Sequence, residues 1–395
     1  MAGPELSARG TGLPVLSNPR LRGTIYQAMF IGAVVLLGVA AAAEASAKMR
    51  SRGIPLGFDF WNDVAGFAIN QALIPYNSLS TYGQAFWVGV VNTLAVVLLG
   101  IVLATVFGFA IGIMRLSPNW IVRRFATAYV EVIRNVPLLI QLLFWYNAVL
   151  KPLPGPKASI ALPLGIYLNN RGIIVPAAAL QPSASVVFAA LVGGIIASLS
   201  LAWWARRRFR QTGATFPIFP AFCVLVLGLP GALWLMLGSP LALTPATLSG
   251  FNFKGGYQVY PEFAALLLGL SVYTASYIAE IVRAGISSVG KGQTDAAHAL
   301  GLSPAQTLRW VVIPQALRVI IPPLTSQYLN LAKNSTLAVF IGYPDLVQVF
   351  AGSVLNQTGA AVQVMAITLS AYLVLSLMMS LLMNFFNQRY AIVER

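Results

Sequence analysis

The sequence predicts an all-α, polytopic helical membrane protein. Of its 395 residues, 58% are hydrophobic and only 9% are charged. Several apolar runs reach or exceed the ~18 residues that mark a helix able to cross a bilayer. A soluble domain of this length does not carry so many long apolar runs separated by short polar connections. The composition therefore places most of the chain in a membrane and excludes a large soluble core.

The apolar runs divide the chain into spans and connections. We place about eight spans, at roughly 25–46, 86–114, 124–150, 184–204, 215–238, 261–285, 316–343 and 361–386. They group into an amino-terminal anchor with an outer-face segment (about 1–83), a first core part (about 84–150), an insertion with two further spans (about 151–255) and a second core part (about 256–395).

The charge of the chain follows its membrane topology. The net charge is +15, from 25 Lys and Arg against 10 Asp and Glu. In a soluble protein such an excess would indicate nucleic acid, but basic connections alternate with spans, as the positive-inside rule requires. We therefore expect cytoplasmic amino and carboxyl termini, a membrane lipid environment and no nucleic-acid partner. Lys48, Arg50 and Arg52, and the outer-loop residues Lys151 and Arg171, run against this rule.

The amino-terminal region raises two further expectations. Residues 45–47 read Ala-Ser-Ala after an apolar run, which resembles a signal-peptide cleavage motif. The run is longer than a signal-peptide core and follows a polar leader, so we expect an uncleaved anchor. Residues 53–82 mix aromatic and acidic side chains without a continuous apolar run. An interfacial helix or elbow on the outer face is expected there.

Residues 291–314, KGQTDAAHALGLSPAQTLRWVVIP, form a compact polar loop between two apolar runs. Thr294 is a predicted N-cap, Asp295 adds negative charge to the first turn, and Gly301 stands where a short helix would end in a left-handed residue. Ser303 and Gln306 form a capping box that starts a second helix. A surface of small side chains would let a partner approach the first helix closely. The alternative is an ordinary amphipathic loop.

The loop resembles the cytoplasmic coupling loop of permease subunits in binding-protein-dependent ATP-binding-cassette (ABC) importers. The resemblance implies a type I permease core in which this coupling helix docks on an ATPase subunit. The residues assigned to that contact are Asp295, Ala296, Ala297, Gly301, Leu302 and Ser303. The family more often has Glu where this chain has Asp295, and the shorter side chain keeps the charge.

Three further motifs resemble permeases for polar amino acids. They are EVIRNVPLLIQ (131–141), YIAEIVRAGI (277–286) and NLAKNSTL (330–337). The long segments 53–82 and 151–255, which compact members lack, make the chain most similar to an enlarged subunit of a broad-specificity L-amino-acid importer. The resemblance therefore implies amino acids as the cargo.

Polar side chains inside apolar spans indicate a transport pathway, because a charge at membrane depth is costly unless it faces a cavity or a partner. At helical spacing they form polar faces on the third, sixth and seventh predicted spans. Glu280 pairing with Arg283, or Lys333 pairing with another helix, is the purely structural alternative. The residues assigned to the pathway are Glu131, Arg134, Asn135, Tyr277, Glu280, Asn330, Lys333 and Asn334.

Prolines mark expected breaks in the spans. Pro137 lacks a backbone N–H and should kink the third span. Pro322 and Pro323 should do the same in the seventh span, and Pro314 should separate that span from the loop. Rigid segments joined at such breaks would transmit a push from the loop to the pathway.

The resemblance implies a permease subunit that moves L-amino acids inward across the inner membrane of a Gram-negative-type bacterium. No catalytic constellation, metal site or phosphate loop is evident, and one Cys and one His exclude a disulfide framework and a Cys/His metal site. ATP and Mg would be bound by two ATPase subunits, and a periplasmic amino-acid-binding protein and a second, unlike permease complete the expected partners. A stand-alone channel or secondary transporter is the alternative, with a membrane-embedded enzyme third.

Overall fold

The computed structural model describes residues 19–51, 57–181, 183–238, 241–250 and 252–390. The chain is mostly helical, which confirms the predicted all-α class. Its α-helices are α1 (Pro19–Ser51), α2 (Tyr82–Met114), α3 (Trp120–Asn135), α4 (Leu138–Phe144), α5 (Ala184–Thr212), α6 (Ile218–Phe222), α7 (Leu229–Met236), α8 (Pro261–Ser287), α9 (Lys291–Ala299), α10 (Pro304–Thr307), α11 (Ile313–Asn334), α12 (Leu355–Thr358) and α13 (Ala361–Tyr390).

Segments of π-helix extend several of these helices. They are Trp145–Leu150 after α4, Cys223–Gly228 between α6 and α7, Leu308–Val312 between α10 and α11, and Val347–Val354 before α12. A π-helical turn inserts one residue into the ladder without ending the helix. α6 and α7 therefore act as one continuous rod, as do α10 and α11.

Along the chain, short strands lie between the α4 rod and α8. They are β1 (Ile160–Leu162), β2 (Ile166–Asn169), β3 (Gly172–Val175), β4 (Ala177–Leu180), β5 (Leu241–Thr244), β6 (Thr247–Ser249), β7 (Asn252–Lys254) and β8 (Tyr257–Val259). An antiparallel sheet has the order β1-β2-β3-β8, and β4–β5 and β6–β7 form separate pairs. Strands of three or four residues are too short for a recognisable alternating pattern, so the sequence analysis did not predict them.

Fewer than the predicted eight helices are, on their own, long and apolar enough to cross a membrane. By length and composition, six helices of the described residues can cross a membrane, and the bent pair Trp120–Asn135 and Leu138–Leu150 would make a seventh. The predicted span 316–343 falls outside this set. Its helix, α11, is 22 residues long, but its many polar side chains make it less apolar than a lipid-facing span. The α-helix also runs on through Pro322 and Pro323 rather than breaking there, and Pro314 lies in its first turn.

The predicted third span is two helical segments at a steep angle. α3 and the α4 rod are bent by 104° at residues 136 and 137. Val136 has extended backbone, with φ −101° and ψ 126°, as is usual for a residue that precedes proline. The expected break at Pro137 is therefore confirmed, and it turns the chain rather than merely kinking it.

The helical core is built around α8. α2 packs along α8 through Gly108 and Gly112, where an added Cβ would come within 2.5 Å of Ile278 and 2.8 Å of Val282. α11 packs on another face of α8, where Ile320 fills the space that Gly285 leaves. Small residues at these crossings let helix backbones approach closely, which is the usual basis of helix packing in membranes.

Residues 57–81 form an elbow that packs on α2. It contains one 3₁₀ turn, Asp59–Asn62, and closes through a bridge between Val64 and Thr81. Trp61 packs against Phe86 of α2 and Phe350. The described part of the predicted outer-face segment is thus an aromatic elbow rather than an interfacial helix.

The helices of residues 184–236 form a hairpin in which α5 packs on the α6–α7 rod. Gly194 faces the carbonyl oxygen of Leu225 so closely that a Cβ would approach it to 2.2 Å. Residues 45–47, the possible cleavage motif, lie inside helix α1, whose described side chains are almost all exposed. The predicted division of the chain near 83, 150 and 255 stays a prediction.

Candidate functional site

The break between α3 and α4 presents the first group of predicted pathway residues. Gln141, on α4, donates from Nε2 to the carbonyl oxygens of Ile133 at 2.8 Å and Val136 at 2.9 Å. These carbonyls end α3 and have no partner within the helix beyond the break. Gln141 therefore fixes the turn, and the last residues of α3, including Arg134 and Asn135, are held at a defined position.

Helix α8 contributes the facing wall. The guanidinium carbon of Arg134 lies 4.8 Å from the ring centroid of Tyr277, in cation–π geometry. The hydroxyl of Tyr277 is 3.0 Å from that of Tyr273. Tyr129 of α3 donates to the carbonyl oxygen of Val272 at 2.6 Å. α3 and α8 thus contact each other at two positions along their lengths, through Arg134 with Tyr277 and through Tyr129 with Val272.

Glu280 is paired with two arginines. Arg283 donates to Glu280 Oε1 from Nη2 at 2.5 Å and from Nε at 3.2 Å, and Arg115 pairs with Glu280 Oε2. The side chain of Arg115 is 12% exposed and that of Glu280 is 29% exposed. The ion pair of Glu280 with Arg283, which the sequence analysis gave as the structural alternative, is therefore formed. The second pair, with Arg115, connects the end of α2 to α8.

These side chains surround one cavity of about 350 Å³. It brings together five of the predicted pathway residues with two that the sequence analysis did not assign, Arg115 and Val130. Glu131 and Arg134 form no ion pair within the described residues. The lining is Arg115, Val130, Glu131, Arg134, Asn135, Tyr277 and Glu280.

This cavity suits a small zwitterion. Its volume lies within the ~300–1,000 Å³ typical of small-molecule sites. A carboxylate needs cations or hydrogen-bond donors, which Arg134 and Asn135 supply, and an ammonium group needs an anion, which Glu131 supplies. Arg115 carried no sequence signal beyond its place in a basic connection, because its partner Glu280 is 165 residues away in the chain.

Asn330, Lys333 and Asn334 do not line this cavity. They lie at the end of α11, where Asn330 and Lys333 are exposed and Asn334 is half-buried. The adjacent face of α11 is buried through Ile320, Leu324 and Leu331. The three polar residues therefore form a stripe on the outside of this chain.

The predicted coupling loop is a short helix with a defined end. α9 begins after Gly290, so Thr294 is not the N-cap, and its hydroxyl donates to the carbonyl oxygen of Lys291 at 2.6 Å instead. Gly301 has φ +78°, as predicted. Leu302 N donates to Ala297 O at 3.1 Å and Gly301 N to His298 O at 2.9 Å, which is a Schellman motif.

The second half of the loop also follows its local sequence. The capping box of Ser303 and Gln306 is present, with 2.8 Å from Ser303 N to Gln306 Oε1. It starts α10, which continues through the π-helical segment into α11. The second half of the loop is therefore continuous with α11.

The exposed surface of α9 differs from the expected one in two residues. Asp295 and Ala296 are exposed, but Ala297 is buried and cannot contact a partner. Leu300 is 82% exposed, although it stands between small and polar residues. The sequence analysis missed Leu300, whose signal was an isolated large apolar residue at the end of a polar helix. The predicted docking surface thus has an apolar knob.

Comparison with known proteins shows the family of this chain. Residues 189–392 match the family model described as the binding-protein-dependent transport system inner membrane component. The chain is 47% identical to the general L-amino acid transport system permease protein AapQ of Rhizobium johnstonii, over 98% of this chain and 97% of that one.

A second relative is the glutamate/glutamine/aspartate/asparagine transport system permease protein BztB of Rhodobacter capsulatus. It is 38% identical over 89% of each chain. The family model covers about half of the chain, and both relatives align along nearly all of it. The chain belongs to the family of binding-protein-dependent transport system inner membrane components, as a multi-pass permease subunit.

Proposed function

We propose that this chain is the permease subunit of an ATP-driven importer that carries L-amino acids inward across the bacterial inner membrane. The observation that carries the proposal is the cavity between α3 and α8, in which Glu131, Arg134 and Asn135 face Tyr277 and Glu280. Groups that match an α-carboxylate and an α-ammonium converge there from two helices. The printed names of the relatives, which refer to L-amino acids and to glutamate, glutamine, aspartate and asparagine, support this cargo class.

The motor is a separate pair of ATPase subunits that bind ATP and Mg. The coupling surface on this chain consists of Asp295 and Ala296 with the exposed Leu300, and Gly301, Leu302 and Ser303 hold the turn beside it. An apolar knob inserted into a groove, rimmed by polar groups, is a common anchor between proteins. Motion of the ATPases would push on α9 and, through the continuous α10–α11 rod, reach the pathway.

A second, unlike permease covers the polar stripe of α11. Asn330, Lys333 and Asn334 would be costly against lipid, and they lie on the outside of this chain. Pairing with polar groups of a neighbouring permease removes that cost. In this arrangement both features border the pathway. The stripe does so at the interface between the two permeases, and the cavity does so within this chain.

The orientation follows from the basic connections. Arg123, Arg124, the coupling loop and both termini are cytoplasmic. The sheet of β1, β2, β3 and β8 is periplasmic. A periplasmic amino-acid-binding protein delivers the cargo on that side.

The experiment is uptake into proteoliposomes that contain the complete importer and its binding protein. Arg134→Gln removes the cation that faces the cavity, and Arg124→Gln, on the exposed side of the same helix, is the matched control. We expect R134Q to reduce uptake about tenfold or more, because a charge-assisted hydrogen bond is lost, while R124Q transports as the wild type does. Equal uptake by R134Q and the wild type contradicts the proposed pathway, and uptake without ATP favours the secondary-transporter alternative.

A further inference from the structure

A second polar cavity lies at the other end of α8. It has a volume of about 470 Å³ and is formed where the β2–β3 turn and β8 meet the start of α8. Glu262 and Glu280 are 18 residues apart on α8, or about 27 Å along the helix axis. That distance is close to the thickness of the bilayer core. The second cavity therefore opens on the face of the membrane opposite to the coupling loop.

The cavity contains one unpaired cation. Arg171 is exposed, and its side chain forms no ion pair within the part of the chain that the structure describes. Its backbone is held firmly, because Arg171 N donates to Asn169 Oδ1 at 2.8 Å and Gln258 Nε2 donates to the Arg171 carbonyl oxygen at 2.7 Å. The guanidinium group is thus carried by a fixed turn, and no carboxylate of the described residues pairs with it.

The cavity also contains a carboxylate. Glu262 is half-buried, and its Oε1 accepts a hydrogen bond from the Tyr146 hydroxyl at 2.8 Å. No cation of the described residues forms an ion pair with it. The hydrogen bond and the first turn of α8 hold the carboxylate in place, and the described residues give it no cationic partner. Carboxamide groups of Asn169, Asn170 and Asn252 line the same space.

We propose that this outer cavity binds the α-carboxylate of an amino acid through Arg171 and its α-ammonium group through Glu262, before the amino acid enters the pathway. The inference rests on the proposed function and adds a second binding site to it. A cation and an anion that form no ion pair among the described residues match a zwitterion, and the surrounding carboxamides accept polar side chains of differing length. The volume exceeds what one amino acid fills, so the cavity selects the backbone groups rather than a particular side chain.

The arrangement links both ends of the pathway. Tyr146, which orients Glu262, lies in the rod that follows the break at Pro137, and Glu131 and Arg134 lie just before that break. Both cavities are therefore lined by α8, and the bent α3–α4 pair reaches both, through α3 at the inner cavity and through Tyr146 behind Glu262 at the outer one. A change in the angle at the break would alter both cavities together.

The test uses the assembled importer in nanodiscs without binding protein, with radiolabelled glutamine as the probe. We expect Arg171→Gln and Glu262→Gln each to weaken equilibrium binding about tenfold, because each removes one charge-assisted contact. Lys254→Gln is the matched control, since Lys254 is exposed on β7 beside the cavity but does not line it. K254Q should bind as the wild type does. Arg171 lies on a surface turn, so R171Q is expected to fold even if E262Q does not.

A competition experiment tests whether Arg171 holds the α-carboxylate. The α-decarboxylated amine of glutamine should compete poorly with glutamine for the wild-type importer, because the amine lacks the carboxylate that Arg171 holds. In R171Q the amine and glutamine should compete about equally well. Unchanged glutamine binding by R171Q and E262Q overturns the proposal. Unchanged glutamine binding together with weaker docking of the liganded binding protein also overturns it, and assigns the cavity to a protein loop. Failure of R134Q to reduce uptake would contradict the proposed inner pathway without affecting this binding assay.

Discussion

Helices α8 and α5 are both apolar enough to cross a membrane, but they differ in what surrounds them. In the most apolar stretch of α8, 61% of the residues are buried within the chain, against 11% in α5, although α5 is the more hydrophobic of the two. In lipid, hydrophobicity drives insertion but not helix packing, because lipid tails are as apolar as leucine. Burial of α8 comes instead from glycines on its neighbours and from polar contacts across it.

The same contrast holds for charges. The core carries Glu280 between Arg115 and Arg283, whereas α5 ends in Arg206, Arg207, Arg208 and Arg210, none of which has an acidic partner among the described residues. Charges of the core are tertiary contacts, and charges of the hairpin face water or headgroups at the membrane surface. Two substitution pairs test this difference, and a third pair tests the coupling loop outside both regions.

The largest effect is expected where a glycine of the core becomes valine. In Gly108→Val, the new Cβ would lie 2.5 Å from the Cβ of Ile278, and the backbone of α8 leaves no room to move. We expect a loss of about 3 kcal/mol in the free energy of unfolding and little assembled subunit. Gly193→Val on α5 is the control, because nothing lies within 4 Å of its Cβ position.

The measurement is the amount of monodisperse importer complex after detergent extraction, by size-exclusion chromatography. If G193V lowers this amount as much as G108V does, the hairpin packs on a partner as tightly as the core packs on itself, and the contrast fails.

A smaller effect is expected from removing a charge of the core. Glu280→Gln leaves Arg115 and Arg283 without a counter-ion, and Arg115 is nearly buried. A loss of about 2 kcal/mol is expected, with thermal unfolding of the complex at lower temperature. Arg210→Gln on α5 removes a charge without a partner and should change the unfolding temperature very little. Wild-type stability of E280Q combined with reduced uptake would restrict Glu280 to the pathway.

The smallest effect on folding is expected in the coupling loop. Gly301→Val forces a β-branched residue to φ +78°, at a cost of about 1–2 kcal/mol confined to the end of α9. Gly292→Val in the first turn of α9 is the control, since its Cβ position is open. We expect G301V to insert normally but to lose uptake coupled to ATP hydrolysis, measured together in proteoliposomes. Full substrate-stimulated transport by G301V would show that the loop does not couple.

Much of this molecule was predictable where short-range interactions decide the structure. The break at Pro137 needs only a missing N–H and a clash with the preceding turn. The capping box of Ser303 and the left-handed Gly301 depend on residues within five positions of each other. The error at Thr294 was also local, because Gly290 offers an equally acceptable start to the same helix.

The predicted span 316–343 was harder to judge, for a different reason. Residues 316–343 contain apolar and polar stripes, and the sequence analysis counted them as a span whose polar face lines the pathway. The structure shows that α11 buries its apolar side on α8 and leaves its polar side outward. Which side of a two-faced helix meets its neighbours is decided by the neighbours.

The sequence by itself determined the membrane class, the all-α fold, the resemblance to ABC importer permeases, and the local geometry of the coupling loop. These follow from composition, from periodicity, and from hydrogen bonds within a single turn. Only the tertiary structure decided that Arg115 meets Glu280, that Arg171 and Glu262 line one cavity, and that β3 pairs with β8. Each of these joins residues some 80 or more positions apart, and no local preference encodes which distant side chain will lie opposite once the helices have packed.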